Sequence, residues 1–262
     1  DARGAQRSGC ERAHLVLLIP DPHRVRSMGG SGFCRAAHSF ATPNTVEVTV
    51  GSLFFVDRTD AGNRLADVMH ATASEMSGFH VVGLARGGVP IAAAIAARFS
   101  LTLSSFLVDD WRGEKRHVFV TPFGDGYEVV GQELVYVPDA RLLRINPVSL
   151  LSRTVATRQS AYNGDLFAVG DRVILCDDGI VSGNTVRAAV AALRMSRVQE
   201  IRFATPVIPS MLQPEDIGVD DIVFCRRSSL VAPPTGMFYR SFPDVDDGAV
   251  RSLVESQRAS LA

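Results

Sequence analysis

The sequence predicts an α/β domain built on a doubly wound parallel sheet. Short apolar runs alternate with longer stretches of helical apolar period, the alternation that βα units produce. Two of these runs, His80-Val-Val-Gly-Leu84 and Arg172-Val-Ile-Leu-Cys176, end in loops of small residues that open a helix. With 262 residues, 46% of them hydrophobic, and no repeat or low-complexity block, the chain can bury a full core of this kind.

The elements follow in order. A helix is expected over 60–76, with Leu65, Val68, Met69 and Thr72 on its inner face. Strand 80–84 runs into Ala85-Arg-Gly-Gly-Val-Pro90 and an Ala-rich, buried helix over 88–99. A second core strand spans 101–108. The polar stretch Asp109–Lys115 after it reads as a solvated loop, and the alternation of Glu128, Val129, Glu133, Leu134, Val135 and Tyr136 makes His117–Val137 a small β-rich insertion, a two- or three-stranded flap. Asn146-Pro147 supplies an N-cap and first-turn proline for helix 147–162. Strand 172–176, helix 184–196 and strands 199–207 and 221–225 complete the sheet. Residues 228–244 form part of a C-terminal hood, followed by a helix over Asp246–Glu255.

Residues 1–50 differ from the rest. They are rich in Arg, Gly and Ser, and their one apolar cluster, Leu15–Ile19, is too short to span a membrane. This segment is expected to be disordered or loosely attached, leaving 51–262 as one domain; Met28 as a natural start and a genuine Arg-rich tail are both open readings of it.

Function is concentrated after the strand 172–176, where Asp177-Asp178 lead into Gly179-Ile-Val-Ser-Gly-Asn-Thr185 and a helix. The free N–H groups and positive end of a helix hold an anion, and acids at a strand tip can accept hydrogen bonds from sugar hydroxyls. A helix cap alone would need one acid, not two. Other phosphate and acid motifs fail: Asn184 stands where a nucleotide P-loop has its lysine, and Ser182 lies in Gly-Ile-Val-Ser-Gly rather than Gly-x-Ser-x-Gly. In the upstream loop, Gly87 and Gly88 permit close approach of a ligand and Arg86 offers a planar charged fork. A Gly-Gly pair is equally compatible with a plain turn, but this one lies one βαβ unit before the acid pair.

A net charge of −1 gives no reason to expect nucleic acid or a membrane surface as partner. Cys10, Cys34, Cys176 and Cys225 are scattered and read as small hydrophobes or stray thiols, which predicts a reducing, cytoplasmic compartment. No histidine shows metal-ligand spacing, and no metal site of protein ligands is expected.

Val173-Ile-Leu-Cys176, Asp177-Asp178 and Ser182-Gly-Asn-Thr185 together resemble the signature of the type I phosphoribosyltransferases. The resemblance covers most of residues 54–258. It is nearest to a bacterial group of predicted phosphoribosyltransferases of unsettled substrate, through Phe55-Val-Asp-Arg-Thr-Asp-Ala-Gly-Asn-Arg-Leu-Ala66, the helix ending at Tyr162, and Gly236-Met-Phe-Tyr-Arg-Ser-Phe-Pro-Asp244. It implies a type I phosphoribosyltransferase-like fold and Mg²⁺-dependent transfer of ribose 5-phosphate from phosphoribosyl pyrophosphate to a nitrogen base, within nucleotide metabolism. The ion would be carried mainly by the substrate. Asp177 and Asp178 would hold the ribose hydroxyls, and Ala85, Arg86, Gly87 and Gly88 the pyrophosphate, making Arg86, Asp177 and Asp178 the catalytic set. Gly179, Ile180, Val181, Ser182, Gly183, Asn184 and Thr185 would wrap the 5′-phosphate, and Phe238 and Tyr239 would stack on the base. A homodimer is an open option.

Departures from the resembled pattern matter too. Asp109-Asp-Trp-Arg-Gly-Glu-Lys115 stands where an Arg-Lys pair is usual, leaving Arg112, Lys115 and Arg116 as candidate cations. Val181 stands where purine-salvage relatives place an aspartate, Phe238 replaces a Trp, and Arg240-Ser241 replaces an acid. These changes motivate an alternative, a non-catalytic regulatory protein that binds phosphoribosyl pyrophosphate.

Overall fold

The computed structural model describes residues 46–47, 54–72, 75–114, 116–138, 146–164, 169–230 and 233–262. Six strands form one parallel sheet: β1 (Val46–Glu47), β2 (Phe79–Ala85), β3 (Leu103–Leu107), β8 (Arg172–Cys176), β9 (Glu200–Pro209) and β10 (Asp221–Ser228). Their order is β1-β10-β9-β8-β2-β3, so the winding reverses between β2 and β8. Val173 to Cys176 are all buried, as a central strand covered on both faces requires. One face carries α1 (Arg58–Ala71), α2 (Gly88–Phe99), α3 (Asn146–Asn163) and α6 (Asp247–Ser260), and the other carries α4 (Asn184–Met195) and α5 (Pro214–Ile217).

Gly62 explains how closely α1 and α2 pack. A Cβ there would stand 2.8 Å from both Ile91 O and Ala94 Cβ. Helix α1 starts earlier than the apolar period suggests because the Asp57 side chain accepts from Asp60 N–H, and it ends at Ala71, with Thr72 as C-cap, short of the expected residue 76.

The outer edge of β3 is sealed by side chains of α3. Asn163 Oδ1 accepts from Ser105 N–H at 2.9 Å, Gln159 Oε1 accepts from Leu107 N–H at 2.7 Å, and both amides donate back to Ser105 O at 2.8 and 2.6 Å. An edge that would otherwise invite another strand is thereby closed, and the C-terminal half of α3 is fixed in register against β3.

The insertion is larger than the sequence suggests. It is a four-stranded antiparallel sheet, β4 (Asp109–Arg112), β5 (His117–Val120), β6 (Gly126–Val130) and β7 (Glu133–Val137), in that order. The polar stretch from Asp109, expected to be a loop, is its first strand. Charge conceals the alternation: Trp111 packs on the core, while Asp110 on the other face pairs with Arg112 at 2.8 Å and His117 at 2.6 Å.

Val46–Glu47, ahead of residue 51, pairs with β10; the rest of residues 1–50 lies outside the described residues. Cys176 and Cys225 are buried free thiols, and burial pushes the Cys225 thiol up to about 12, while Cys10 and Cys34 lie outside the described residues. Among the described residues no helix is long and apolar enough to cross a membrane.

Candidate active site

Where the winding of a parallel sheet reverses, the loops after the two flanking strands part and leave a crevice for a ligand. Here those loops are Arg86-Gly87-Gly88 after β2 and Asp177-Asp178 after β8. They touch directly. A Cβ on Gly87 would overlap the Asp178 carboxylate, and one on Gly88 would overlap Cys176 O. The two glycines therefore do more than permit a turn: any side chain there would push the two loops apart.

The acid pair sits in a desolvated position. Burial raises the pKa of Asp177 well above the usual carboxylate range, and the neighbouring charge of Asp178 raises it further. Asp178 is also raised by burial, against the pull of Arg58, which donates from Nε to Asp178 Oδ2 at 2.8 Å. Asp177 Oδ1 accepts from the Asp178 N–H at 2.9 Å, and among the described residues no cationic side chain pairs with Asp177. The pair thus has one arginine for two carboxylates, a deficit of donors that hydroxyl groups or a cation would relieve.

Arg58 is a residue of the candidate site that the sequence does not single out. It is 8% exposed, donates from Nη1 to Pro243 O at 2.6 Å, and stacks 3.6 Å from the Phe242 ring centroid. It therefore ties α1, the acid pair and the hood together. Its signal is present in Phe55-Val-Asp-Arg58, where the arginine follows the helix N-cap, but nothing in the spacing points from residue 58 to residue 178.

The helices that open onto the crevice differ from three others. The Asp57 and Asp246 side chains cap α1 and α6, and Gln213 with Asp216 forms a capping box on α5. Helices α2 and α4 begin instead at Gly87 and Gly183, with no side-chain cap. At α2 the Val89 N–H already donates to Arg86 O at 3.2 Å and Pro90 carries none, so the amides left to an anion there are those of Gly87 and Gly88, while the first N–H groups of α4 remain available. Gly183 has φ 74°, while Ser182 and Val181 are exposed, Asn184 and Thr185 half-buried, and Ile180 is anchored in the core. The weak 3.4 Å contact from Asn184 N–H to Ser182 Oγ leaves the α4 terminus largely unsatisfied.

Arg86 is exposed at the start of α2, its Nη1 4.0 Å from Asp247 Oδ1, and Ala85 ends β2 beneath it. Phe238 and Tyr239, expected to stack on a base, are each only 7% exposed. Tyr239 donates to Asp178 O at 2.6 Å and packs against Phe55 and Phe242, with ring centroids 5.5 and 4.8 Å away. These aromatics fasten the hood to the acid loop. Thr235 of the hood also lies close to this loop: its Oγ1 would stand 2.8 Å from a Cβ on Gly179. The candidate cations of the polar stretch are engaged by acids of the insertion: Arg112 by Asp110 at 2.8 Å, and Arg116 by both oxygens of Glu128 at 2.5 and 2.7 Å; Lys115 lies outside the described residues. Among the described residues no group of three or more His, Cys, Asp and Glu side chains could hold a metal ion.

Residues 58–234 match the phosphoribosyl transferase domain family. The chain belongs to that family. Two Mycobacterium tuberculosis proteins, one named "Putative phosphoribosyl transferase Rv0571c", are each 27% identical over 221 residues, covering 79% of this chain and 48% of theirs. The chain thus spans about half the length of these curated relatives. Among solved structures, TT1426 from Thermus thermophilus superposes with a TM-score of 0.61 at 23% identity, over 78% of this chain and 99% of that one. It shares the fold of this phosphoribosyl transferase domain.

Proposed function

We propose that the protein transfers the ribose 5-phosphate group from phosphoribosyl pyrophosphate to a nitrogen base and releases pyrophosphate. One observation carries this reading: a half-buried acid pair adjoins two helix N-termini that no side chain caps. The matching ligand has two anionic groups on either side of a body rich in hydroxyls. In this reading pyrophosphate lies at Arg86-Gly87-Gly88 and the start of α2, the ribose hydroxyls donate to Asp177 and Asp178, and the 5′-phosphate meets Ser182–Thr185.

The C1–oxygen bond breaks with its electron pair passing to pyrophosphate, and a base nitrogen forms the new bond to C1. Positive charge grows on the sugar near the acids, and negative charge grows on the leaving group near Arg86 and the α2 amides. The chain's contribution is positioning and fixed electrostatics. Val181, exposed and apolar, offers no proton acceptor at its place in the loop, which suits a base that needs none there. A Mg²⁺ ion fits the site as a passenger of the substrate, since two carboxylates without a third protein ligand suit an ion that keeps water and phosphate oxygens. When bound, it would neutralise charge on the pyrophosphate.

A second reading, a regulatory protein that binds phosphoribosyl pyrophosphate without transferring it, is favoured by Asp109 standing just after β3 and by the buried hood aromatics. Calorimetry with phosphoribosyl pyrophosphate and Mg²⁺, on wild type and Asp177→Asn/Asp178→Asn, tests the site; equal binding by both would remove the proposal. Pyrophosphate release across a panel of bases separates transfer from binding alone.

A further inference from the structure

Arg86 does not stand alone on the leaving-group side. Asp247, the first residue of α6, receives a two-pronged contact from Arg158 of α3, Nη2 to Oδ1 at 2.7 Å and Nε to Oδ2 at 3.1 Å. Tyr162, one turn further along α3, donates its hydroxyl to the same Oδ1 at 2.7 Å. Arg86 Nη1 lies 4.0 Å from that atom as well. One carboxylate oxygen is therefore shared by guanidinium groups from two parts of the fold.

We propose that Arg158 is a second cation of the pyrophosphate site, and that Asp247 is the internal anion which holds Arg158 and Arg86 together until pyrophosphate takes its place. This rests on the phosphoribosyl transfer reading and deepens it. Phosphate oxygens match the planar guanidinium fork as carboxylate oxygens do, so the geometry that grips Asp247 is one a pyrophosphate can duplicate. Two arginines converging with no anion between them would repel each other; Asp247 removes that cost in the free protein and leaves the pair aligned.

The placement of Arg158 is fixed rather than incidental. It precedes Gln159, which with Asn163 bonds the edge of β3, so the turn of α3 that carries Arg158 is held on the sheet beside the β2 loop. Arg158 Nη1 also lies 4.0 Å from Asp109 Oδ2. The segment after β3, where the resembled group has its Arg-Lys pair, thus presents an acid, and the positive charge comes to it from α3. The Arg158 side chain keeps 27% of its surface accessible, enough for a ligand to reach.

Calorimetry with pyrophosphate and, separately, ribose 5-phosphate tests this in wild type, Arg158→Gln and Asp247→Asn. Arg158→Gln should weaken pyrophosphate binding by about tenfold or more, the effect of losing a charge-assisted contact, and leave ribose 5-phosphate unchanged. Asp247→Asn should tighten pyrophosphate several-fold, since the competing anion is gone. If Arg158→Gln weakens both ligands equally or neither, or if Asp247→Asn weakens pyrophosphate, Arg158 and Asp247 are structural and the inference fails while phosphoribosyl transfer stands. Wild-type protein that binds neither ligand would overturn both.

Discussion

The two ends of the parallel sheet handle buried charge in opposite ways. At the amino ends of the strands, acids and arginines alternate: Arg172 pairs with Glu200 at 2.7 Å, and Arg202 with Glu200 at 3.6 Å and Asp221 at 3.2 Å. The Phe79 ring lies between these arginines, 4.2 Å from the Arg172 guanidinium carbon and 4.8 Å from that of Arg202. Burial raises the Asp221 pKa even here, but Arg202 opposes it. At the carboxyl ends, Asp177 and Asp178 are neighbours, Arg58 serves only one of them, and two helix starts go uncapped. One end pairs its charges within the chain, although Arg202 Nε and Asp221 Oδ1 make no hydrogen bond, and the other leaves one arginine to two carboxylates. A fold stabilised for its own sake would resemble the first; the second is what a site looks like when its missing partners belong to a ligand.

The sharpest way to break this contrast is to remove the cation that, among the described residues, pairs with the acid pair. Arg58→Ala leaves Asp178 buried without its partner and takes away the contacts to Pro243 O and Phe242, so it should destabilise the protein by about 3–5 kcal/mol. Urea unfolding measures this. A loss under about 1 kcal/mol, the range of surface pairs, would mean that Arg58 is not the support of the acid loop.

The opposite sign is expected at Asp177. A carboxylate whose pKa is raised on folding binds its proton more tightly in the folded state, so its ionisation costs stability as pH rises from the unfolded carboxylate value through the raised one. Asp177→Asn should therefore stabilise the free protein at neutral pH, on the order of 1 kcal/mol or about 2–4 °C in Tm for a domain of this size. The gain should shrink as the pH falls towards about 4, the ordinary carboxylate range. The same variant should lose affinity for phosphoribosyl pyrophosphate. Stability and binding moving in opposite directions would mark the carboxyl end as a site; a Tm that falls with Asp177→Asn would mark it as structural.

Much of this contrast is legible in the sequence because both site loops are local. A strand, two acids and a small-residue loop lie consecutively in Arg172–Thr185, and chain order alone places them at a strand tip. What is not legible depends on packing between distant segments. Arg58 reaches Asp178 across the fold, and Arg158 meets Asp247 only because Gln159 and Asn163 fix α3 on the edge of β3. The hood is hard to read for a related reason: aromatic residues near a site suit stacking on a base and plugging a core equally well, and the burial of Phe238 and Tyr239 is visible only in the fold. Strand β4 is hidden because charged side chains on its outer face mask a period of two.

The smallest expected effect lies at the balanced end. Arg172→Gln removes the contacts to Glu200 and to Ser77 O, but this side chain is 30% accessible and Arg202 remains beside Glu200. Pairs of this kind contribute roughly 0–1 kcal/mol, so Tm should fall by no more than about 2–4 °C. Affinity for phosphoribosyl pyrophosphate should not change, because Arg172 begins β8 while the acids follow its last residue. Calorimetry on the same preparation checks this. A selective loss of binding with Tm intact would show that charge at the amino end of the sheet reaches the site, and the separation between a balancing end and a binding end would then fail.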